Sequence, residues 1–482
     1  MIGLTTLAAT ALTCVAMFHA QQEVGNDAVF LTDGKSTRQV FDLDNGVGRD
    51  GEASFFTNPL NYGTVMFSGY SYRAGREIWT SDGTSTGTRL LRDIFVGANF
   101  SSYPAAVRDQ GSVSFATALT SRFQVVGNRV VFGATSSWYG RELWSSDGTA
   151  AGTYMIRDHV PGGENGIDAE GGPPEFVYSN GSFAIYLAKD PSRGKSLWAT
   201  RGLRSDSVYL GPYNDVSSLP LPYPFGAVGN RLLYAKNERS ELWATDGTVA
   251  GTRRVAAFGK RTVENISRIP DLNFAIFSVY GLGGHELWIT DGTPTQTRAI
   301  KNISPQSDSN PGDFMPPSES QGLGAYFRLG HKILFPANDN VRGRELWVTQ
   351  GSASTTVLLA DLTTGMYGSE FHQFVRVGNL LYFTATVKEF GFYNRRLFVT
   401  DGTTAGTKKL STSISPYGRI AALRNGVVFF GTSTTSGQNR IWYSGPVPNS
   451  QTAVSGAFDT APWHFQSVNI PTSGANAPCP VQ

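Results

Sequence analysis

RELWSSDGTAAGT, residues 141–153, decides the fold, because the chain nearly repeats it. REIWTSDGTSTGT stands at 76–88, SELWATDGTVAGT at 240–252 and HELWITDGTPTQT at 285–297. Anchoring on the aromatic three places before the Asp finds Phe30, Trp79, Trp144, Trp198, Trp243, Trp288, Trp347, Phe398 and Trp442. Their intervals are 49, 65, 54, 45, 45, 59, 51 and 44 residues. A fixed unit joined by loops of varying length explains the irregularity. The lengths suit a four-stranded propeller blade of about 40–50 residues.

Each unit divides into two hairpins. In 374–413, FVRVGNLLYFTAT turns at Gly378-Asn379, and RRLFVTDGTTAGTKKLST turns at Asp401-Gly402. Strands of this length with no helical spacing argue for an all-β chain. The first unit shows only a third and fourth strand (28–43), and the last, RIWYSG (440–445), lacks a clear fourth. Grouping each fourth strand with the next three gives a single β-propeller of eight four-stranded blades, with seven as the runner-up. A lone blade cannot bury two apolar faces, so neighbours must stack.

The DGTxxGT segment reads as turn chemistry. Its Asp (Asp33, Asp82, Asp147, Asp246, Asp291, Asp401) becomes Arg201 in one copy and Gln350 in another. A reactive carboxylate needed in every copy would not be exchanged so. The following glycine is kept: Gly34, Gly83, Gly148, Gly202, Gly247, Gly292, Gly351 and Gly402. Glycine is what a backbone at positive φ requires, and Asp before it closes an Asx-turn. The nine aromatic anchors read as packing between sheets, since Trp and Phe exchange. The Glu before the Leu-Trp pair (Glu77, Glu142, Glu241, Glu286, Glu345) gives way to Ser196 and Arg396 elsewhere, which suits a hydrogen bond or ion pair beside the strand.

These copies resemble the ELWxxDGT-repeat family of secreted proteins, over about 28–445. The resemblance implies a propeller-like extracellular protein and supplies no catalytic residues. KSLWATRGLRSDS (195–207) and RELWVTQGSASTT (344–356) depart from the motif.

Bulk properties set the outer limits. The chain has 482 residues, 40% hydrophobic and 16% charged, with 55 Gly, 24 Pro and a net charge of +2. No basic run exists, so a nucleic-acid partner is not expected. MIGLTTLAATALTCVAMFHAQQ (1–22) reads as a secretory signal without a basic start, cleaved near Ala16 or Ala20. The domain plan is a signal peptide at 1–20, the propeller at 21–445, and a closing strand or loose tail at 446–482. No other apolar run reaches membrane length, so no membrane span is expected in the mature chain, which is placed outside the cell. Two cysteines, Cys14 and Cys479, exclude a disulfide framework and a cysteine zinc site.

Candidate chemistry lies in the exceptions. DHVPGGENGIDAEGGPPEF (158–176) offers Asp158, Glu164, Asp168 and Glu170 as oxygen ligands for calcium, against the plainer reading of a solvated loop. No other cofactor is expected. Tyr103, Tyr213, Tyr223 and Tyr417 are loop aromatics able to stack on sugars. Asn-x-Ser sequons occur at Asn99, Asn180, Asn265 and Asn302. The six histidines have no metal spacing, and His285 reads as a strand-edge residue in the slot of Arg76 and Arg141. No GxSxG, HExxH or phosphate-gripping loop is present. The sequence favours a non-enzymatic binding or scaffolding module for an extracellular glycan, wall polymer or protein. The alternatives are a polysaccharide- or glycan-acting enzyme with carboxylates at the channel mouth, and a structural coat or matrix component.

Overall fold

The computed structural model describes residues 12–23, 26–33, 35–42, 53–57, 64–71, 74–95, 123–136, 138–167, 177–213, 225–267, 269, 272–305, 308–312, 326–423, 425–454 and 463–471. Among them the chain is all-β, apart from one 3₁₀ turn at Pro294–Gln296. No helix of the described residues is long and apolar enough to cross a membrane.

Nine four-stranded antiparallel sheets are present among the described residues. Sheets 2 to 9 span 53–92, 124–157, 177–212, 225–257, 262–301, 327–360, 370–409 and 414–453, each from four consecutive strands. Sheet 1 joins Leu12–Glu23, Asn26–Thr32 and Thr37–Asp42 to a strand from the far end of the sequence, Trp463–Pro471. Nine aromatic anchors therefore correspond to nine sheets, one more than the sequence implies. The difference has two causes. The fourth strand pairs with the third of its own copy, not with the following copy. The missing strands of the first unit lie in segments that read as a leader and a tail: Leu12–Glu23 pairs with both Asn26–Thr32 and Trp463–Pro471. The missing fourth strand of sheet 9 is the two-residue Thr452–Ala453.

The chain forms two compact units, residues 1–92, 375–378 and 410–482 in one, 93–374 and 379–409 in the other. The first holds sheets 1, 2 and 9. The second holds sheets 3 to 8, apart from the end of one strand of sheet 8.

Within each unit the anchors lie in apolar layers shared by two sheets. Trp79 packs with Met17, Val29 and Leu31 of sheet 1, and Phe30 with Ala421, Val428 and Ile441 of sheet 9. In the second unit Trp198 packs with Val131 and Leu143 of sheet 3, and Trp347 with Ile276 and Leu287 of sheet 6. Phe398 packs with Leu334 and Leu346 of sheet 7, while Trp243 and Trp288 rest on the layers before their own sheets. Trp144 is buried in sheet 3 and Trp442 half-buried in sheet 9, its Nε1 donating to the Gly431 carbonyl at 3.0 Å.

A β-bulge recurs beside the anchor. The register slips between Leu143 and Trp144, which face Arg157 and Met155, so Ile156 is the extra residue of the fourth strand. The same slip leaves Leu91, Leu210, Val255 and Leu359 unpaired in register. All five are buried, so the bulge turns one more apolar side chain into the layer.

The DGT turn joins these layers. In sheet 5, Asp246 Oδ1 accepts from the Thr248 backbone N–H at 3.0 Å and its hydroxyl at 2.7 Å. Thr248 Oγ1 accepts from Gly251 N at 2.9 Å. Thr245 Oγ1 pairs with Thr252 Oγ1 at 2.7 Å and accepts from Gly247 N at 3.0 Å. The first glycine of the motif has φ between 79 and 89° at Gly83, Gly148, Gly202, Gly247, Gly292, Gly351 and Gly402; Gly34 lies outside the described residues. The second glycine answers a different need. A Cβ on Gly251 would stand 2.0 Å from Asp246 Oδ1, and on Gly152 1.9 Å from Asp147 Oδ1. The carboxylate fills the space that the glycine leaves.

This turn also sets sheet order. A Cβ on Gly292 of sheet 6 would meet Val228 at 3.2 Å and Arg231 at 3.4 Å, beside the first turn of sheet 5. One on Gly402 of sheet 8 would meet Lys332 at 3.1 Å and Leu329 at 3.4 Å of sheet 7. Lys332 Nζ donates to the Gly402 carbonyl at 2.7 Å. Within the second unit consecutive sheets therefore run in one sense, their first and third turns at one end and their central hairpin turns at the other.

Gly251→Ala is expected to cost about 2–3 kcal/mol and lower the melting temperature by several degrees. Gly229→Ala, at φ 54° with open space around it, should cost only about 1 kcal/mol. Thermal melts of the two variants compare the effects; equal losses would contradict the carboxylate notch.

Candidate functional site

The glutamates before the Leu-Trp pair follow two courses. Glu241 accepts from Trp243 Nε1 at 2.9 Å and Arg254 at 2.7 Å, and Glu286 from Trp288 Nε1 at 3.2 Å and Arg261 at 3.2 Å. Glu345 instead turns inward. It accepts from the backbone N–H groups of Leu362 and Thr363 at 2.8 and 3.1 Å and from the Ser369 hydroxyl at 3.0 Å. It therefore ties down the loop between sheets 7 and 8. Glu142 lies against the equivalent loop, with the backbone of His159, Val160 and Gly166 lowering its pKa and the Asp158 charge raising it. Burial dominates in both, pushing each carboxyl up to about 8. Both side chains are closed to solvent, and Glu345 is by its hydrogen bonds a loop anchor.

Among the described residues, a polar cluster that remains partly open lies on sheet 6. His285 is the second residue of the third strand, Gly284–Thr290, and is itself buried. Its Nδ1 meets Asp308 Oδ1 at 2.5 Å, and its Nε2 meets Glu264 Oε2 at 3.1 Å. Glu264 Oε1 lies 3.8 Å from Arg239 Nη1 and accepts from the Thr262 hydroxyl at 3.2 Å. Tyr280 covers the imidazole, ring centroids 4.7 Å apart. Arg239 arrives from the hairpin of sheet 5, where Asn237, Glu238 and Arg239 all have positive φ, and its carbonyl accepts from Val263 N at 2.8 Å.

Two carboxylates on one imidazole make it a double donor. Burial alone lowers the His285 pKa, but hydrogen bonds to Glu264 and Asp308 reverse this and raise it. Burial likewise raises Glu264, while the bonds and charges of His285 and Arg239 bring it below the ordinary range. The result is a cation held between anions, with His285 buried and the Asp308 side chain 39% exposed. Such an array can hold a proton at Nδ1 or Nε2 and orient the Asp308 carboxylate toward solvent.

The remaining sequence candidates fall elsewhere. Asp158 lies beside Glu142, and Glu164 is an exposed partner of Lys189 at 3.8 Å. Asp168 and Glu170 lie outside the described residues. Among the described residues, no three His, Cys, Asp or Glu side chains are placed to hold a metal ion. Tyr213 lies in the connecting segment after Val208–Pro212 but is buried, its hydroxyl donating to the Ala235 carbonyl at 3.3 Å, and so is closed to a sugar. Tyr417 is exposed; Tyr103 and Tyr223 lie outside the described residues. Asn265 is buried at φ 49° and so cannot carry a glycan in the folded chain. Asn180 and Asn302 are half-buried, and Asn99 lies outside the described residues. Sequence reasoning missed Glu264 and Asp308, which come to His285 from a first strand and from a long connecting loop. Only the exchange of Arg for His at position 285 signalled the place.

No protein-family model matches the chain, and no curated protein matches it. Solved structures do. A puromycin hydrolase matches at 14% identity and TM-score 0.34, over 72% of this chain and 55% of its own. A prolyl endopeptidase matches at 11% identity and TM-score 0.40, over 80% and 55%. The β-propeller domain of the Trilobed protease from Pyrococcus furiosus matches at 12% identity and TM-score 0.33, over 70% and 98%. The chain thus spans about half the length of the solved hydrolases and nearly all of the isolated propeller domain. These neighbours are hydrolases and peptidases, which corrects the sequence-based reading of a non-enzymatic binding or scaffolding module. The likeness is one of fold and assigns no substrate or residue here.

The two raised carboxyls bind protons more tightly in the folded chain than in the unfolded one. Their contribution is complete below about pH 4.5 and is lost as pH rises toward 8. Melting temperature should therefore fall between about pH 5 and 8, and Glu142→Gln with Glu345→Gln should flatten that fall. Melts at stepped pH check this; an unchanged slope in the double variant would contradict it.

Proposed function

We propose that the sheets are propeller blades of an ELWxxDGT-type extracellular protein, and that the chain is a hydrolase with its acid–base centre at Asp308, His285 and Glu264. The observation that carries the proposal is the carboxylate–imidazole–carboxylate chain, buried at its middle and open to solvent at Asp308. Clusters of mutually perturbed titratable groups concentrate at functional sites. In this reading Asp308 is the group that meets substrate or water. His285 and Glu264 are positioning residues that hold the carboxylate and stabilise the charge pattern as a proton moves. Nine blades, one per aromatic anchor, is the count adopted.

A second reading has its own observation. Ser309 Oγ donates to the His285 carbonyl at 2.7 Å, and Asn338 N to the Ser309 carbonyl at 2.8 Å. The cluster then serves only to pin residues 308–312 across sheets 6 and 7.

The two readings separate in one experiment. The full chain is assayed on a panel of amide, ester and glycoside substrates, alongside Asp308→Asn and His285→Gln. Hydrolysis by the wild type, reduced about 100-fold or more in Asp308→Asn with little change in melting, is expected. Activity should also decline as pH rises through the raised pKa of His285. No turnover on any substrate, or activity indifferent to both variants, would leave the pinning role alone.

A further inference from the structure

The central hairpin of sheet 8 is longer than packing requires. Its strands, Leu380–Glu389 and Phe392–Thr400, have 10 and 9 residues, against 7 and 6 in Lys332–Asn338 and Arg344–Thr349 of sheet 7. The excess carries the tip about 10 Å further at about 3.3 Å per residue. Glu389 pairs with Phe392, leaving the two-residue turn Phe390-Gly391, at φ 52° and 86°. Positive φ at both turn positions favours Asn or Asp followed by Gly. Phenylalanine in that first position is strained and leaves its ring fully exposed. Neither folding nor solubility explains it.

The tip is not alone. Phe392, Tyr393, Met366 and Tyr367 are also exposed. Lys388 Nζ lies over the Tyr367 ring at 3.2 Å and within 5.9 Å of the Tyr393 ring, so its cation is held among the aromatics. Behind them the carboxylate of Glu389 is met by Arg396 at 3.0 Å and by Lys409. The hairpin, Leu380–Thr400, thus carries three cations, Lys388, Arg395 and Arg396, and one anion, Glu389, with Lys409 of the fourth strand beside it. The central turns of sheets 3, 6 and 7 lie at the same end of their sheets and also expose large apolar residues, Trp138, Leu282 and Val341.

We infer that the Phe390–Tyr393 tip is a docking element for an anionic lipid surface. A sugar or peptide site would need concave walls and converging polar groups. A protruding, fully exposed phenyl ring has neither. It fits the boundary between acyl chains and headgroups, where aromatic rings settle and nearby Lys and Arg meet anionic lipid. The aromatic side chains enter the interface and Lys388 stays at headgroup level.

Flotation of the full chain with phosphatidylcholine vesicles, with and without phosphatidylserine, tests the inference. The wild type should float with the phosphatidylserine vesicles and be released by high salt. Phe390→Ser with Phe392→Ser should reduce the floated fraction roughly tenfold or more, and Lys388→Glu should reduce it too, both with unchanged melting temperature. Failure of the wild type to float with either vesicle would overturn the inference. So would equal flotation of the variants. Self-association of the wild type, abolished by the same Phe substitutions, would assign the tip to a second copy instead and would also overturn it.

Discussion

In sheets 2, 3, 5 and 8 a carboxylate seated where a glycine leaves room is the contact on which the turn depends. In the DGTxxGT turn the Asp accepts from the Thr two places on, and the second Gly admits it at a distance that no Cβ allows. Hydrogen bonds from Thr248 and Thr403 hold Asp246 and Asp401 ionised well below the usual carboxylate range. Beneath the loop a pair of hydroxyls, such as Thr400 and Thr407 at 2.8 Å, closes the strand ends. The first glycine then lies on the preceding sheet. One turn thus satisfies its own polar groups, reverses the chain and spaces two sheets.

The exceptions obey the same physics. In sheet 4 the Asp position holds Arg201, and the second glycine position holds Asp206. Arg201 N donates to Asp206 Oδ2 at 2.7 Å, and Thr200 Oγ1 donates to the same carboxylate. In sheet 7, with Gln350 and Thr355 at these positions, the Thr355 hydroxyl accepts from Gln350 N and Ser352 N, each at 3.2 Å. The acceptor has crossed the turn in both copies. What persists is one acceptor in one small space, supplied from either side.

Stacking covers both faces of the third strand, which explains why Glu142, Leu143 and Trp144 are buried in succession. Glu241 and Glu286 find Trp and Arg side chains, whereas Glu345 finds the backbone of a connecting loop. The same letter in the repeat therefore serves two structural ends. The choice is made by the loop that follows the fourth strand. His285 is the departure from this pattern, since its slot holds arginine in other copies and its partners are two acids from distant segments.

The all-β class, the four-stranded unit, the turn glycines and the aromatic layers were legible because each repeats at fixed positions. The second glycine's purpose was not, because it depends on where the Asp side chain goes, which spacing does not reveal. The bulge residues Ile156, Leu210 and Val255 looked like ordinary strand positions. The ninth sheet was hidden because Leu12–Glu23 has the composition of a leader and Trp463–Pro471 carries no motif. Glu264 and Asp308 were invisible because nothing in the sequence brings a first strand and a connecting loop to His285. The most direct measurement transplants the acceptor within sheet 8: melting of Asp401→Arg against Asp401→Arg with Gly406→Asp, which copies the arrangement of Arg201 and Asp206. The single change should lower the melting temperature and the second should restore most of the loss. A double variant that melts no higher than the single one would contradict the view that one acceptor in that space holds the turn.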